Sequence, residues 1–126
     1  MATVVVTAEK NALLDAIFAS TTYWALSTTT PAADGTNVTE PSGNGYTRVT
    51  VAAGDMSAAA SGAIDNAAIV AFPEATGSWG TVTYILVYDV ASGGTPRYAI
   101  SLTASKTISS GETPRFAISA FDLSVT

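Results

Sequence analysis

The sequence predicts an all-β protein, an antiparallel β-sandwich of jelly-roll type with one short N-terminal helix. Three observations predict it. Short β-branched and aromatic runs recur along the chain, turn residues separate them, and helical periodicity occurs once, near the N-terminus. A chain of 126 residues has length for one core. Residues 1–126 are therefore expected to form a single sandwich domain, with 1–20 as an N-terminal strand and helix segment and 52–64 as a long Ala-rich loop.

Each element follows from its own residues. Residues 3–7 are a short β-branched stretch. In residues 8–20, Leu13, Leu14, Ile17 and Phe18 recur at helical spacing, with Thr7 placed to cap the helix and Glu9 in the first turn, where a carboxylate complements the helix dipole. The apolar stripe of that helix serves either to plug one end of the sandwich or to dock on a neighbour. Residues 23–28 read as a strand, 31–35 as a loop and 46–51 as a second strand, entered through the turn-rich run Pro41-Ser42-Gly43-Asn44-Gly45. A three-residue hairpin loop at 43–45 would set Glu40 opposite Arg48 as a structural ion pair.

Residues 52–63 are rich in Ala, Gly and Ser and show neither period, which marks a long connection of the kind that often carries binding. A short apolar strand at 69–72 is closed by Pro73. After the turn Gly77-Ser78-Trp79-Gly80, residues 81–90 are apolar on both parities, the pattern of a central strand buried on both faces. Residues 98–102 alternate as the next strand and 116–125 close the chain. Thr95-Pro96-Arg97-Tyr98-Ala99-Ile100-Ser101 is echoed by Thr113-Pro114-Arg115-Phe116-Ala117-Ile118-Ser119, which reads as two strand entrances meeting the same need.

Composition narrows function. Charged residues make up 12% of the chain and hydrophobic ones 48%, so the surface is poor in charge. Such a surface is expected to be covered by partners, in a homo-oligomer that is a trimer or a dimer; the alternative is a compact β-domain coated with Thr and Ser. Five basic residues against ten acidic ones, a net charge of −5, leave no patch that could neutralise phosphates, so nucleic acid is not expected as a partner. No apolar run reaches the roughly 20 residues of a membrane span, and the N-terminus lacks the basic-then-apolar pattern of a secretory signal. Synthesis in a bacterial cytoplasm, from a chain beginning near Met1, is the expectation.

The chain holds neither His nor Cys, which removes the commonest general base, the commonest transition-metal ligand and the thiolate nucleophile. Carboxylate pairs such as Asp55 with Asp65, or Asp34 with Glu40, have no sign of convergence, so no enzyme, catalytic residue, cofactor or metal site is expected. Asp34-Gly35-Thr36-Asn37 with Glu40 offers oxygen ligands but not the spacing of a calcium loop, and reads as an Asx-type turn. Trp24, Trp79 and the tyrosines read as core, with Trp79, beside a turn, the candidate exception.

The order Tyr23-Trp24-Ala25-Leu26, Asp34-Gly35-Thr36, Glu40, Gly45-Tyr46-Thr47-Arg48, Phe72-Pro73, Trp79-Gly80-Thr81-Val82-Thr83, Asp89, Gly93-Gly94, and Lys106 with Ser110-Gly111-Glu112-Thr113 resembles short bacteriophage virion proteins of the tail-fibre-like or head-decoration type. Members often carry a His where this chain has Tyr84 and an Asp where it has Glu112. The resemblance implies a β-sandwich that acts by packing in a virion, without catalysis. It leads to a capsid decoration or cement protein that binds the outer shell and stabilises contacts between capsomers, with the major capsid protein as partner. The alternative is a tail-fibre or baseplate module that binds tail proteins or host-surface glycans. The candidate interface residues are Leu13, Leu14, Ile17, Phe18, Met56, Ile64 and Trp79.

Overall fold

The computed structural model describes residues 4–118 and 121–124. In chain order they form α1 (Thr7–Phe18), β1 (Thr22–Ser27), β2 (Val49–Val51), a 3-10 turn (Ala53–Asp55), β3 (Ala63–Asp65), β4 (Val70–Ala71), β5 (Gly80–Tyr88), β6 (Tyr98–Ile108), β7 (Arg115–Phe116) and β8 (Asp122–Ser124). The strands build one four-stranded sheet, in the order β2-β1-β5-β6, and two-stranded ladders of β3 with β8 and β4 with β7. These ladders support the mostly-β, antiparallel class with one α-helix; they do not extend to the two-sheet sandwich or jelly roll expected from strand spacing.

The chain divides into two compact units. A sheet unit comprises Thr22–Thr50 and Ala71–Arg115, and a helical unit comprises Met1–Thr21, Val51–Val70 and Phe116–Thr126.

In the sheet unit, β5 lies between β1 and β6. Its last four residues, Ile85 to Tyr88, are all buried, as a central strand requires. The antiparallel register sets Ala25 beside Leu86 and Tyr23 beside Tyr88, and Ala25, Leu86 and Tyr88 form a buried cluster flanked by Tyr23 and Val38. On the other side Val87 pairs with Tyr98 and Val82 with Lys106, with a register shift between Val82 and Tyr84. β6 therefore runs to Ile108, past the end expected at residue 102, because an irregularity interrupts its alternation without ending its pairing.

In the helical unit, α1 begins one residue earlier than expected. Thr7 is its first residue, and the extended residue ahead of it is Val6, which makes no side-chain capping bond. A valine offers no acceptor, so Thr7 does not cap the helix as the sequence suggested. Leu14 and Phe18, four apart, form its buried ridge, and the Phe18 ring meets Phe121 edge-on at 6.3 Å between centroids. Polar residues beside that ridge hold the Ala-rich segment: Asn11 accepts from the Gly62 N–H and Asp15 from the Ala59 N–H, both at 2.9 Å. That segment is not wholly irregular, since it contains the 3-10 turn and leads into β3.

The central tie of the helical unit is Asn66, which is fully buried. Its amide donates to the Ala68 and Ala117 carbonyls, each at 2.8 Å, and its side-chain oxygen accepts from the Phe121 N–H at 3.0 Å. One short side chain thus satisfies three backbone groups from separate parts of the chain.

Candidate interaction surfaces

The polar side chains of the sheet unit gather around Arg48, whose side chain is 6% exposed. Its Nη2 donates to Glu40 Oε1 at 2.6 Å, and Nε is 3.2 Å from both oxygens of the same carboxylate. Nη1 donates to the Val90 and Gly93 carbonyls at 2.9 and 3.0 Å, and the guanidinium carbon stands 3.5 Å from the centroid of the Tyr88 ring. Burial pulls the Arg48 guanidinium down, but the Glu40 hydrogen bond and charge outweigh it and the net shift is upward. Glu40 and Arg48 do not meet across a hairpin: residues 40–48 carry no strand, and β2 starts at Val49.

The Glu40 carboxylate also receives the Tyr46 hydroxyl at 2.8 Å, and that hydroxyl accepts from the Leu26 N–H at 3.0 Å. Burial pushes the Tyr46 phenol far above its ordinary value; the Leu26 N–H opposes this and the Glu40 charge adds to it. The Tyr46 ring meets Trp79 edge-on, 5.2 Å between centroids. Trp79 is 4% exposed, and its indole N–H donates to the Asn44 carbonyl at 2.9 Å. Asn44 can lie there because position 77 is glycine: a Cβ on Gly77 would come within 2.6 Å of the Asn44 side chain. Trp79 is thus a packed member of this cluster and not a surface platform.

Three further carboxylates of the unit are engaged locally, and a fourth, Glu74, is exposed. Asp34 accepts from the Thr36 N–H and hydroxyl, which form the Asx-type turn and hold the carboxyl below its usual range. Glu112 accepts from the Ser109 N–H and pairs with Lys106; Asp89 pairs with Arg97. Among the described residues no group of three or more His, Cys, Asp or Glu is arranged to hold a metal ion. An open cleft of about 400 Å³ lies in this unit, with Pro31, Tyr84, Arg97 and Ala99 on its walls.

The helical unit offers a different surface. Of the sequence-predicted interface residues placed there, Leu14, Phe18, Met56 and Ile64 are buried, Ile17 is half-buried, and Leu13 is exposed at 53%. Phe18, Met56 and Ile64 nonetheless line a groove of about 350 Å³ with Asp15 and Ala58. A neighbouring groove of about 200 Å³ is lined by Ala60, Ala63 and Asp65, and shares Ser57, Ala58 and Ile64 with the first. Val4, Val5, Val6, Ile69 and Ile118 add further exposed aliphatic surface to this unit. Periodicity in the sequence could not show Ile69 or Ile118 as exposed, because both sit beside strand ends whose apolar pattern reads as core.

Most titratable groups of the sheet unit are thus bonded to backbone or to one another, and the helical unit carries small-residue grooves. The chain belongs to the family described as podophage GP4 fiber I protein gp80, whose family model matches residues 5–124. It is accordingly a phage fibre-type virion protein, which agrees with the resemblance at the level of the virion and the fibre. No curated protein matches the chain. Among the described residues no helix is long and apolar enough to cross a membrane.

Proposed function

We propose that the chain is a non-enzymatic structural module of a phage fibre, which self-associates and joins neighbouring tail proteins through apolar and backbone contacts. The observation that carries this reading is the family match over residues 5–124. The geometry supports it. The Glu40 carboxylate, which could serve as an acid or base, is committed to Arg48 and Tyr46, and Asp34 is committed to the Thr36 turn. Self-association is supported by β6, an edge strand of eleven residues whose one charged side chain is Lys106. Of the two virion roles weighed from sequence, the family's name favours the fibre over capsid cement.

Immunogold labelling of purified particles tests the reading. Label on the fibres or tail is the expected result. Label spread over the head would overturn the fibre role in favour of cement, and particles that carry no label would overturn the virion role altogether.

A further inference from the structure

We infer that the first run of β6, Tyr98 to Ser101, pairs antiparallel with the same run of a second copy about a two-fold axis at Ala99, joining two four-stranded sheets into one of eight. The inference rests on the proposed self-association and names its interface.

Sheet order leaves β6 at an edge, with β5 on one side and no strand among the described residues on the other. Such an edge presents a row of backbone groups to any approaching strand unless the chain blunts it. β6 is blunted only in its second part. Tyr84 pairs with Ser101 and Val82 with Lys106, so residues 102–105 bulge away from β5, and Lys106 follows the bulge. The first run has neither device. Tyr98 to Ser101 pair one for one with Val87 to Tyr84 and carry no charge. Alternation places the exposed Ala99 and Ser101 on one face of the sheet and the half-buried Tyr98 and Ile100 on the other.

The run is complementary to itself. With Ala99 on an axis normal to the sheet, Tyr98 lies opposite Ile100 of the second copy, Ile100 opposite its Tyr98, and Arg97 opposite its Ser101. An aromatic side chain against a β-branched one is a favourable cross-strand pair, and here it occurs twice. Charge also admits a second copy at this place. The sheet unit holds four basic residues, Arg115 among them, and five acidic ones, Glu74 among them, a net of −1. The helical unit sets Lys10 against five acidic residues, a net of −4, so repulsion between copies falls on that unit. Beside the run itself, Arg97 and Asp89 neutralise each other. The echo of the run, Phe116-Ala117-Ile118, does not serve in its place: Phe116 belongs to the β7 and β4 ladder, and the Ala117 carbonyl accepts from the Asn66 amide. One short strand pair is a small interface of the transient kind, below about 1,200 Å² in all. Copies held side by side in one fibre raise its effective concentration.

The test uses the full chain in sedimentation equilibrium. The wild type is expected to dimerise reversibly. Ala99→Lys, at an exposed position, should raise the dissociation constant about tenfold or more, because like charges then meet on the axis. Ala99→Glu should do the same, and a mixture of A99K and A99E should recover the dimer, which unfolded variants would not. The chain has no Cys, so Ala99→Cys supplies one thiol per copy. Its place on the axis should give a disulfide-linked dimer on air oxidation, whereas Ala117→Cys, the matching exposed position of the echo, should stay monomeric. A wild-type chain that is monomeric up to about 1 mM would overturn the inference and leave the edge to a strand of another protein. So would an association that A99K leaves unchanged, a mixture that fails to dimerise, or equal cross-linking of A99C and A117C. An association untouched by A99K would leave self-association standing and sink its interface alone. The labelling of particles decides the virion role independently of all these outcomes.

Discussion

The two units of this chain spend their polar atoms in opposite ways. The sheet unit contains every ion pair found among the described residues: Arg48 with Glu40, Arg97 with Asp89 and Lys106 with Glu112. One large hydrophobic residue is well exposed in it, Val90. The helical unit contains none of those pairs and six such residues, Val4, Val5, Val6, Leu13, Ile69 and Ile118. It is held by uncharged and singly charged acceptors on backbone N–H groups, from Asn11, Asp15 and Asn66. In the sheet unit three charge pairs are satisfied internally, while the exposed Glu74 and Arg115 stand outside them. A region with bare aliphatic surface has area to offer a partner. The contrast is one of internally paired charge in the sheet unit against exposed aliphatic surface in the helical one.

The largest expected effect falls on the helical unit. Asn66→Ala would leave the Ala68 and Ala117 carbonyls and the Phe121 N–H without their partner in a fully buried position. The expected cost is about 3–5 kcal/mol, read from urea unfolding, because the bonds to Ala68 and to the exposed Ala117 are worth about 1 kcal/mol each and the N–H of the buried Phe121, left bare, costs about 1–3 kcal/mol. Amide exchange should rise around residues 66–68 and 121–123 while β1 and β5 keep their protection. Equal loss of protection in both units would break the division as an energetic one.

Next is the guanidinium at the centre of the sheet unit. Arg48→Met preserves the stem but removes the partner of Glu40 and the donor to Val90 and Gly93. About 3 kcal/mol is expected, the lower end for breaking a buried pair, since the Glu40 side chain retains 23% exposure. Amide exchange should then rise at residues 90–94, which Arg48 anchors. A cost below about 1 kcal/mol, the value of a surface pair, would remove Arg48 from its central place.

How far these features could be read in advance depends on the separation of the residues that make them. The helix, the central strand β5 and the turn at Asp34 arise from neighbours within a few residues, and the apolar spacing of Leu14 and Phe18 or the run from Ile85 to Tyr88 displays them directly. Opposite charge at Glu40 and Arg48 suggested a contact, but the ladder drawn to explain it is absent. The pair forms because Val90 and Gly93, more than forty positions away, draw the guanidinium inward. Asn66 carried no signal, since an asparagine between Asp65 and Ala67 reads as a turn residue; its partners at 117 and 121 come from the other end of the chain. Leu14, Phe18, Met56 and Ile64 could be picked out as apolar, but sequence does not say whether an apolar residue is the floor of a groove or the interior of a core. The recurrence of short strands along the sequence likewise could not show that the helical unit folds its share of strands into the short β3 and β8 ladder.

A smaller effect, and one with a pH signature, is expected at Tyr46. Tyr46→Phe deprives the Leu26 N–H of an acceptor and Glu40 of a donor, which should cost about 1–2 kcal/mol at neutral pH. Burial raises the Tyr46 phenol in the folded chain, so folding favours the neutral form. An unfolded tyrosine ionises near pH 10, so this contribution is whole below about pH 10 and is lost as pH rises towards the higher folded value. Wild-type stability should fall above about pH 10 by up to about 1.4 kcal/mol per pH unit for this group. The Y46F chain should show a shallower slope, with the raised Tyr88 phenol supplying part of what remains. An unchanged alkaline slope in Y46F would locate the effect elsewhere.

The helical unit can be sharpened in the stabilising direction. Val6 has the extended backbone of a capping residue, φ −68° and ψ 153°, and is 58% exposed, but it has no side-chain acceptor. Val6→Asp should add about 0.5–1 kcal/mol to the helical unit by accepting from a free N–H of the first turn and by placing a negative charge at the positive end of α1. The gain should appear as slower amide exchange in residues 9–11, with β5 and β6 unaffected.

The smallest effect is expected where an ion pair is most visible. Arg97 and Asp89 lie 3.0 Å apart, but their side chains are 56% and 46% exposed. The Arg97 hydrogen bond holds the Asp89 carboxyl below its usual range, so any contribution would be present above the ordinary carboxylate range and fade as pH falls through the lowered value. Solvent screens so open a pair, and fixing two long side chains costs entropy that offsets the attraction. Arg97→Ala should therefore leave the urea midpoint unchanged at neutral pH, in low salt and in high. If R97A instead destabilised the chain as much as Arg48→Met, charge pairing in general would be the sheet unit's source of strength. Arg48 would then owe nothing to its burial, and the contrast with the helical unit would reduce to a count of charges.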